Sequence, residues 1–230
     1  MSKKAIPIFL GLSIAVAFLS GDAMACACCA ETGTYHFKSI RPDAYYLDVV
    51  REMQFANAAN LYETEAGTDL IKGLGGVLGE LETGDHVMPM DFDLKNATFA
   101  SNRWNFVFRS PKGESGSLTL PLPPRMVEFK VDIHDGSDKG LGPLLYKEFR
   151  FQGSVASASG FMRAGVVRGT RYFLVFQGRG RGCNDVSDFT HWRLAIDGPK
   201  ASYAFFGELE SGRKPEAETA SPALDTPASK

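Results

Sequence analysis

The feature that most constrains the fold is a regular alternation of apolar and polar residues between positions 34 and 210. The run MVEFKVDIH (126–134) shows it best, since every second residue from Val127 to Ile133 is apolar. Successive side chains of a β-strand point to opposite faces of a sheet, so a period of two is typical of half-buried strands. We therefore expect one face of this strand to line a core, with these members: Val127, Phe129, Val131 and Ile133.

The same alternation recurs in segments separated by turns rich in Gly, Pro, Asn and Asp. Its apolar members are Leu47, Val49, Met53 and Phe55; Met88, Met90, Phe92 and Leu94; Trp104, Phe106 and Phe108; Leu118, Leu120 and Leu122; Leu145, Phe149 and Phe151; Tyr172, Leu174 and Phe176; Trp192, Leu194 and Ile196; and Tyr203, Phe205 and Leu209. This number of short strands predicts an all-β fold, a single antiparallel β-sandwich or barrel of about 8–10 strands.

One internal stretch, EAGTDLIKGLGGVLGELE (65–82), has apolar residues at roughly helical spacing. Four glycines interrupt the spacing between Leu70 and Leu81. Each glycine in a helix interior costs about 1 kcal/mol relative to alanine. The sequence therefore predicts one or two short helices here rather than a long one.

The N-terminus reads as an export signal over residues 1–25. Lys3 and Lys4 precede an apolar run, and Ala23-Met24-Ala25 has the small-x-small pattern that a signal peptidase prefers. Cleavage would make Cys26 the first residue, leave no transmembrane segment and place the protein in the periplasm or outside the cell. Alternatively, Cys26 carries a lipid anchor.

The remaining chain divides by composition. Residues 26–33 form a cysteine-rich segment, residues 34–210 form the predicted β domain, and residues 211–230 lack large apolar residues except Leu224. Such a segment cannot bury enough surface to offset its ordering entropy, so it predicts a disordered tail. The net charge of −2 gives no electrostatic reason to expect nucleic acid as a partner.

Three of the four cysteines, Cys26, Cys28 and Cys29, lie in four consecutive positions, and Cys183 lies far along the chain. In an oxidising compartment the default state of such thiols is a disulfide. We expect Cys183 to bond to Cys28 or Cys29 and to fasten the N-terminus to the domain. The alternative is a soft-metal site for copper at the three N-terminal thiolates, because thiolates favour Cu(I). Otherwise we expect no cofactor.

Two loops carry further candidate ligands. The segment VDIHDGSDKG (131–140) follows a strong strand, and its oxygen-rich side chains are of the kind that can hold a metal ion such as calcium. They are also what an ordinary hairpin turn uses. The candidate residues are Asp132, His134, Asp135 and Asp138.

The second loop belongs to the segment FQGRGRGCNDVSDFTHWRL (176–194). Its glycine-flanked arginines could approach an anionic group, and His191 alternates with Trp192 along the following strand. The ligand-binding candidates are Arg179, Arg181, Asp188, His191 and Trp192. The alternative, non-functional interpretation is a solvated loop followed by a surface histidine.

No short catalytic motif such as GxSxG, a P-loop or HExxH occurs in the chain. The sequence therefore favours an exported, non-enzymatic binding or accessory protein whose ligand is unknown. A thiol-dependent copper-binding protein is the first alternative. A hydrolase whose site is formed from distant strands, such as one joining Asp188, His191 and a hydroxyl group, is the second.

Overall fold

The computed structural model describes residues 28–62, 71–75, 77, 90–136 and 142–212. It is mostly β-structure, with one α-helix among the described residues. The strands are β1 (Tyr35–Ile40), β2 (Ala58–Tyr62), β3 (Met90–Ala100), β4 (Arg103–Arg109), β5 (Ser115–Pro121), β6 (Met126–Val131), β7 (Leu145–Ser154), β8 (Ser157–Gly160), β9 (Arg171–Gly180), β10 (Phe189–Gly198) and β11 (Ala201–Glu208). The helix is α1 (Ala44–Glu52).

All eleven strands belong to one antiparallel sheet in the order β1-β6-β7-β9-β10-β11-β2-β3-β4-β5-β8. The sheet is not closed into a barrel, because β1 and β8 are its edges. The predicted all-β antiparallel fold is therefore confirmed, and its architecture is sandwich-like.

A corner between β7 and β8 helps the sheet to fold over on itself. The Val155 N–H donates to the Thr170 carbonyl next to β9, and the Ala156 N–H donates to the Thr119 carbonyl on β5. Distant strands consequently pack face to face: the rings of Phe106 on β4 and Trp192 on β10 are 5.7 Å apart. The core between the two halves is dominated by aromatic side chains.

The alternation predicts the inward rows of most strands correctly. The buried rows include Phe92 and Leu94 on β3, Trp104, Phe106 and Phe108 on β4, Leu118 and Leu120 on β5, Leu145, Phe149 and Phe151 on β7, Tyr172, Leu174 and Phe176 on β9, Trp192, Leu194 and Ile196 on β10, and Tyr203 and Phe205 on β11.

The interpretation of residues 47–55 as a strand is wrong. Residues 44–52 form α1, whose N-terminus is capped by the Asp43 carboxylate accepting from the Tyr46 N–H. The adjacent Val49 and Val50 are both buried, which a half-buried strand would not allow but a helix packed on the sheet does.

The face assigned to β6 is also wrong. Met126 and Glu128 point inward and are buried, whereas Phe129 lies half-buried on the outer face and Ile133 is 46% exposed. The outer aromatic rings of the neighbouring strands cover Phe129, with the Tyr35 ring 5.8 Å and the Tyr146 ring 6.2 Å away. These contacts let an apolar row remain on the outside while charged side chains occupy the inner face.

Several sequence-based expectations lie wholly or largely outside the described residues. These are the signal at 1–25, Cys26, Asp138, the tail beyond 212 and most of the predicted helix at 65–82. Within the last segment, Lys72 forms an isolated bridge with Ser202 on β11, and Leu74 and Val77 are buried. No helix in the described part of the chain is long and apolar enough to cross a membrane.

Candidate functional site

A disulfide joins the first described residue to the loop between β9 and β10. The Cys28 and Cys183 sulfur atoms lie 2.14 Å apart, and their Cα atoms are 4.5 Å apart. The Gly182 N–H also donates to the Cys28 carbonyl at 2.9 Å. Cys29 is exposed and lies outside this disulfide. Because Cys28 is paired, it offers no thiolate, so the copper hypothesis applies only to a reduced N-terminal segment.

We expect Cys183→Ser to lower the stability of the protein and to loosen the segment before β1. The disulfide spans 155 residues, and disulfides typically contribute about 2–4 kcal/mol, more for long loops. Thermal unfolding and hydrogen exchange of residues 28–34 measure the two effects. Cys28→Ser should have the same effect as Cys183→Ser, and reductant should destabilise the unmodified protein to a similar extent. A Cys183→Ser variant as stable as the unmodified protein would contradict a stabilising Cys28–Cys183 bond.

Next to the disulfide lies a buried polar group that we call the Glu128 cluster: Glu128, Lys130, His36, Tyr46 and Asn184. Glu128 is 3% exposed. Its Oε1 accepts from Lys130 Nζ at 2.8 Å and from Asn184 Nδ2 at 2.7 Å. Its Oε2 lies 2.8 Å from His36 Nε2 and accepts from the Tyr46 hydroxyl at 3.2 Å. Each carboxylate oxygen therefore has two partners, as a buried charge requires.

The electrostatics of Glu128 follow from these contacts. Burial raises the pKa of Glu128, but the hydrogen bonds from Asn184 and Lys130 and the nearby positive charges outweigh burial, so the pKa lies below its ordinary value. The Tyr46 pKa is raised, first by burial and then by the Glu128 charge. Near neutral pH the cluster thus contains a carboxylate and a protonated tyrosine hydroxyl.

A second buried ion pair adjoins the cluster. Lys147 on β7 is 0% exposed, and its Nζ donates to Asp188 Oδ2 at 2.6 Å and to the Cys183 carbonyl. Burial lowers the Lys147 pKa, and the Asp188 carboxylate offsets this only in part. Asp188 also accepts the Asp185 N–H at 3.0 Å within the short 3-10 helix Val186–Asp188. This candidate ligand residue therefore anchors the loop.

The loop after β6 is organised by Asp132. Its carboxylate accepts the Gly33 N–H and the His134 N–H, both at 2.8 Å, and these two donors lower its pKa. His134 Nδ1 lies 3.2 Å from the same carboxylate, whereas Asp135 pairs with Arg179 at 2.6 Å. Three of the four candidate ligands of this loop are thus engaged in holding local structure.

The structure separates the other candidates. Arg181 is exposed, and Trp192 is buried in the core with its indole Nε1 lacking a hydrogen-bond partner. His191 lies on the outer face, where its Nδ1 is 2.8 Å from Thr190 Oγ1. Asp188 and His191 therefore have different surroundings. Among the described residues, no group of three or more His, Cys, Asp or Glu side chains is placed to hold a metal ion.

A pocket of about 640 Å³ lies on the outer face of β10, β11, β2 and β3, and His191 is one of the residues that line it. We call it the outer-face pocket. Its lining comprises Ala56, Asn57, Ala58, Asn60, Asp93, His191, Phe206, Gly207, Glu208 and Glu210. The register explains the grouping, because Glu208 lies opposite His191 and Asp93 lies opposite Ala58. Small residues thus line the pocket together with polar side chains from neighbouring strands.

A second pocket, of about 340 Å³, lies against the disulfide, and we call it the N-terminal pocket. It is lined by Cys29, Ala30, Glu31, Thr34, His36, Lys130, Leu145 and Gly182. Because His36 and Lys130 belong to both, this pocket connects the Glu128 cluster with solvent.

No family model matches the chain, and neither the curated proteins nor the solved structures give a significant match.

Sequence reasoning missed the Glu128 cluster and Lys147. For Lys147 a signal existed, since the residue lies between Leu145 and Phe149 in an inward apolar row. For Glu128 there was none, because its partners His36 and Asn184 are 92 and 56 residues away.

Proposed function

We propose that the protein is an exported, non-enzymatic binding or accessory protein that takes a small organic cation in the outer-face pocket. The observation that carries this proposal is the pocket itself. Its volume of about 640 Å³ falls in the range of known small-molecule sites, roughly 300–1,000 Å³.

The lining supports a cationic ligand. Three carboxylates, those of Asp93, Glu208 and Glu210, are grouped with one histidine. Asp93 also pairs with Lys95 at 2.8 Å, a contact in which both side chains are about half exposed. Exposed pairs of this kind are weak, so a ligand ammonium group can compete for the carboxylate. Phe206 adds an apolar and aromatic surface that suits the carbon chain of such a ligand.

Export is supported by the pattern of residues 1–25 and by the disulfide between Cys28 and Cys183. Disulfides form and persist in oxidising compartments and are rare in the reducing cytosol. The N-terminus of protein recovered from outside the cytoplasm checks this part of the proposal. Met1 retained in such protein would contradict it.

We expect the purified protein to bind spermidine, used as a probe amine, and to give no heat with the dianion succinate. Glu208→Gln should lower the affinity for spermidine by roughly tenfold, because a hydrogen bond to a charged group contributes about 1.5–3 kcal/mol. Isothermal titration calorimetry at low ionic strength measures both.

Asp197→Asn is the matched control, since Asp197 is exposed on the same strand as His191 but outside the pocket. It should bind spermidine as the unmodified protein does. An equal loss of spermidine affinity in Asp197→Asn and Glu208→Gln would show a diffuse charge effect. No binding of spermidine to the unmodified protein would overturn the proposal that the pocket binds a cation.

A further inference from the structure

Within the Glu128 cluster, an amine and a carboxamide share one carboxylate oxygen. Lys130 Nζ and Asn184 Nδ2 both donate to Glu128 Oε1, at 2.8 and 2.7 Å. The two nitrogen atoms are therefore neighbours across a single oxygen atom. An amine and a primary amide can form a new amide bond with loss of ammonia, and a carboxylate between them can carry the proton.

The Asn184 side chain is held in a manner that suits this reaction. Asn184 is 8% exposed, and its Oδ1 is buried without a hydrogen-bond partner. In a buried amide group the oxygen and the nitrogen normally both have hydrogen-bond partners. Here the structure holds the side chain through Nδ2, the atom that would leave, while the Tyr45 hydroxyl fixes the backbone by accepting the Asn184 N–H at 2.7 Å.

The amine and its carboxylate partner are largely shielded from water. The Lys130 side chain is 12% exposed and that of Glu128 is 5% exposed. Lys130 Nζ and Glu128 Oε1 are 2.8 Å apart, so a proton can pass directly between the amine and the carboxylate during the reaction. The N-terminal pocket touches Lys130 and His36, so a small leaving molecule has a path to solvent.

We propose that Lys130 and Asn184 become joined by a self-formed isopeptide bond, with Glu128 as the proton carrier. Glu128 accepts a proton from the Lys130 ammonium, and the free Nζ attacks Asn184 Cγ. The Nζ–Cγ bond forms, the Cγ–Nδ2 bond breaks, and Nδ2 leaves as ammonia after receiving the proton from Glu128. The proton that the attacking nitrogen loses goes to the ammonia, so ammonium is released, the Glu128 carboxylate is regenerated and no oxidant is needed.

Lys130 is the expected partner rather than the other buried lysine of this region. Both amines are held by a carboxylate and a backbone carbonyl: Lys130 Nζ donates to Glu128 and, at 2.6 Å, to the Gly182 carbonyl, and Lys147 Nζ donates to Asp188 and to the Cys183 carbonyl. Lys130 differs in having an amide next to its carboxylate. Glu128 bridges the amine and the amide of Lys130 and Asn184 directly. The cross-link would tie β6 to the same loop that the disulfide ties to the N-terminus.

Mass spectrometry of the purified, reduced and alkylated protein tests the bond. We expect a mass lower than that of the sequence by one ammonia molecule, and a branched tryptic peptide that contains both Lys130 and Asn184. Lys130→Arg, Glu128→Gln and Asn184→Ala should each abolish the deficit. Asn105→Ala, which changes an exposed asparagine of β4, should retain it.

Three outcomes would overturn the proposal. The first is the full sequence mass with only linear peptides from the unmodified protein. The second is ammonia loss confined to a linear Asn184 peptide, which marks a succinimide. The third is a branch at Lys147 instead of Lys130. Because the unmodified protein alone decides among these, a variant that fails to fold does not obscure the result.

Discussion

Phe149→Ala is expected to lower the free energy of unfolding by about 3–5 kcal/mol, because it removes a fully buried ring and leaves a cavity. Phe149 is 0% exposed, and its ring lies 4.6 Å from that of Phe189 and 5.6 Å from that of Tyr46. These contacts join β7, β10 and α1, so the space cannot close by moving one element. Chemical denaturation monitored by tryptophan fluorescence measures the loss.

Phe129→Ala is the matched comparison for Phe149→Ala and should cost only about 1 kcal/mol, since a partly exposed ring loses less apolar burial. Phe129 lies on the outer face of β6, with the guanidinium carbon of Arg150 5.0 Å from its ring centre. Equal costs for the two variants would mean that β6 presents its apolar row to the core after all.

Lys147→Met is the second change with a large expected effect. It should lower the free energy of unfolding by about 3–5 kcal/mol, because it leaves one member of a buried ion pair unpaired. Lys147 is fully buried and compensates Asp188, which is also largely covered. Removing the amine takes the charged donor away from that carboxylate, which retains the Asp185 N–H, and takes the Lys147 donor away from the Cys183 carbonyl. The loss should appear in chemical denaturation at neutral pH.

Lys147→Met combined with Asp188→Asn should be less destabilised than Lys147→Met alone, because no uncompensated charge then remains. Arg51→Ala is a control for pairing as such: the Arg51–Asp48 pair is more than half exposed, and exposed pairs contribute about 0–1 kcal/mol. A double variant as unstable as Lys147→Met would show that the lost hydrogen bond to Cys183, not the stranded charge, dominates.

The sheet could be predicted from the sequence wherever the inner face is uniformly apolar. On β4 and β10 the rows that begin at Trp104 and Trp192 alternate with polar residues, and burial follows that pattern. Trp192 was also a ligand candidate because the loop before it is polar, and the structure places its side chain in the core. Period alone identifies which residues share a face but not which face meets solvent.

β6 and α1 show where local pattern fails. The inner face of β6 carries Glu128, whose burial depends on a hydrogen bond from Asn184, 56 residues later in the chain. Such a contact leaves no trace in a local window. At α1 the signal was present as Asp43, a good N-cap residue, but Leu47 and Val49 also fit a period of two.

The pairing of Cys28 with Cys183 imposes an order on biosynthesis. The partner of Cys28 lies 155 residues downstream, so at about 5–20 residues per second the ribosome needs roughly 10–30 s to supply it. Throughout that interval the nearest thiols are those of Cys26 and Cys29. Correct oxidation must therefore wait for the loop that follows β9. A disulfide isomerase should accelerate maturation by undoing premature bonds among the cysteines of residues 26–29.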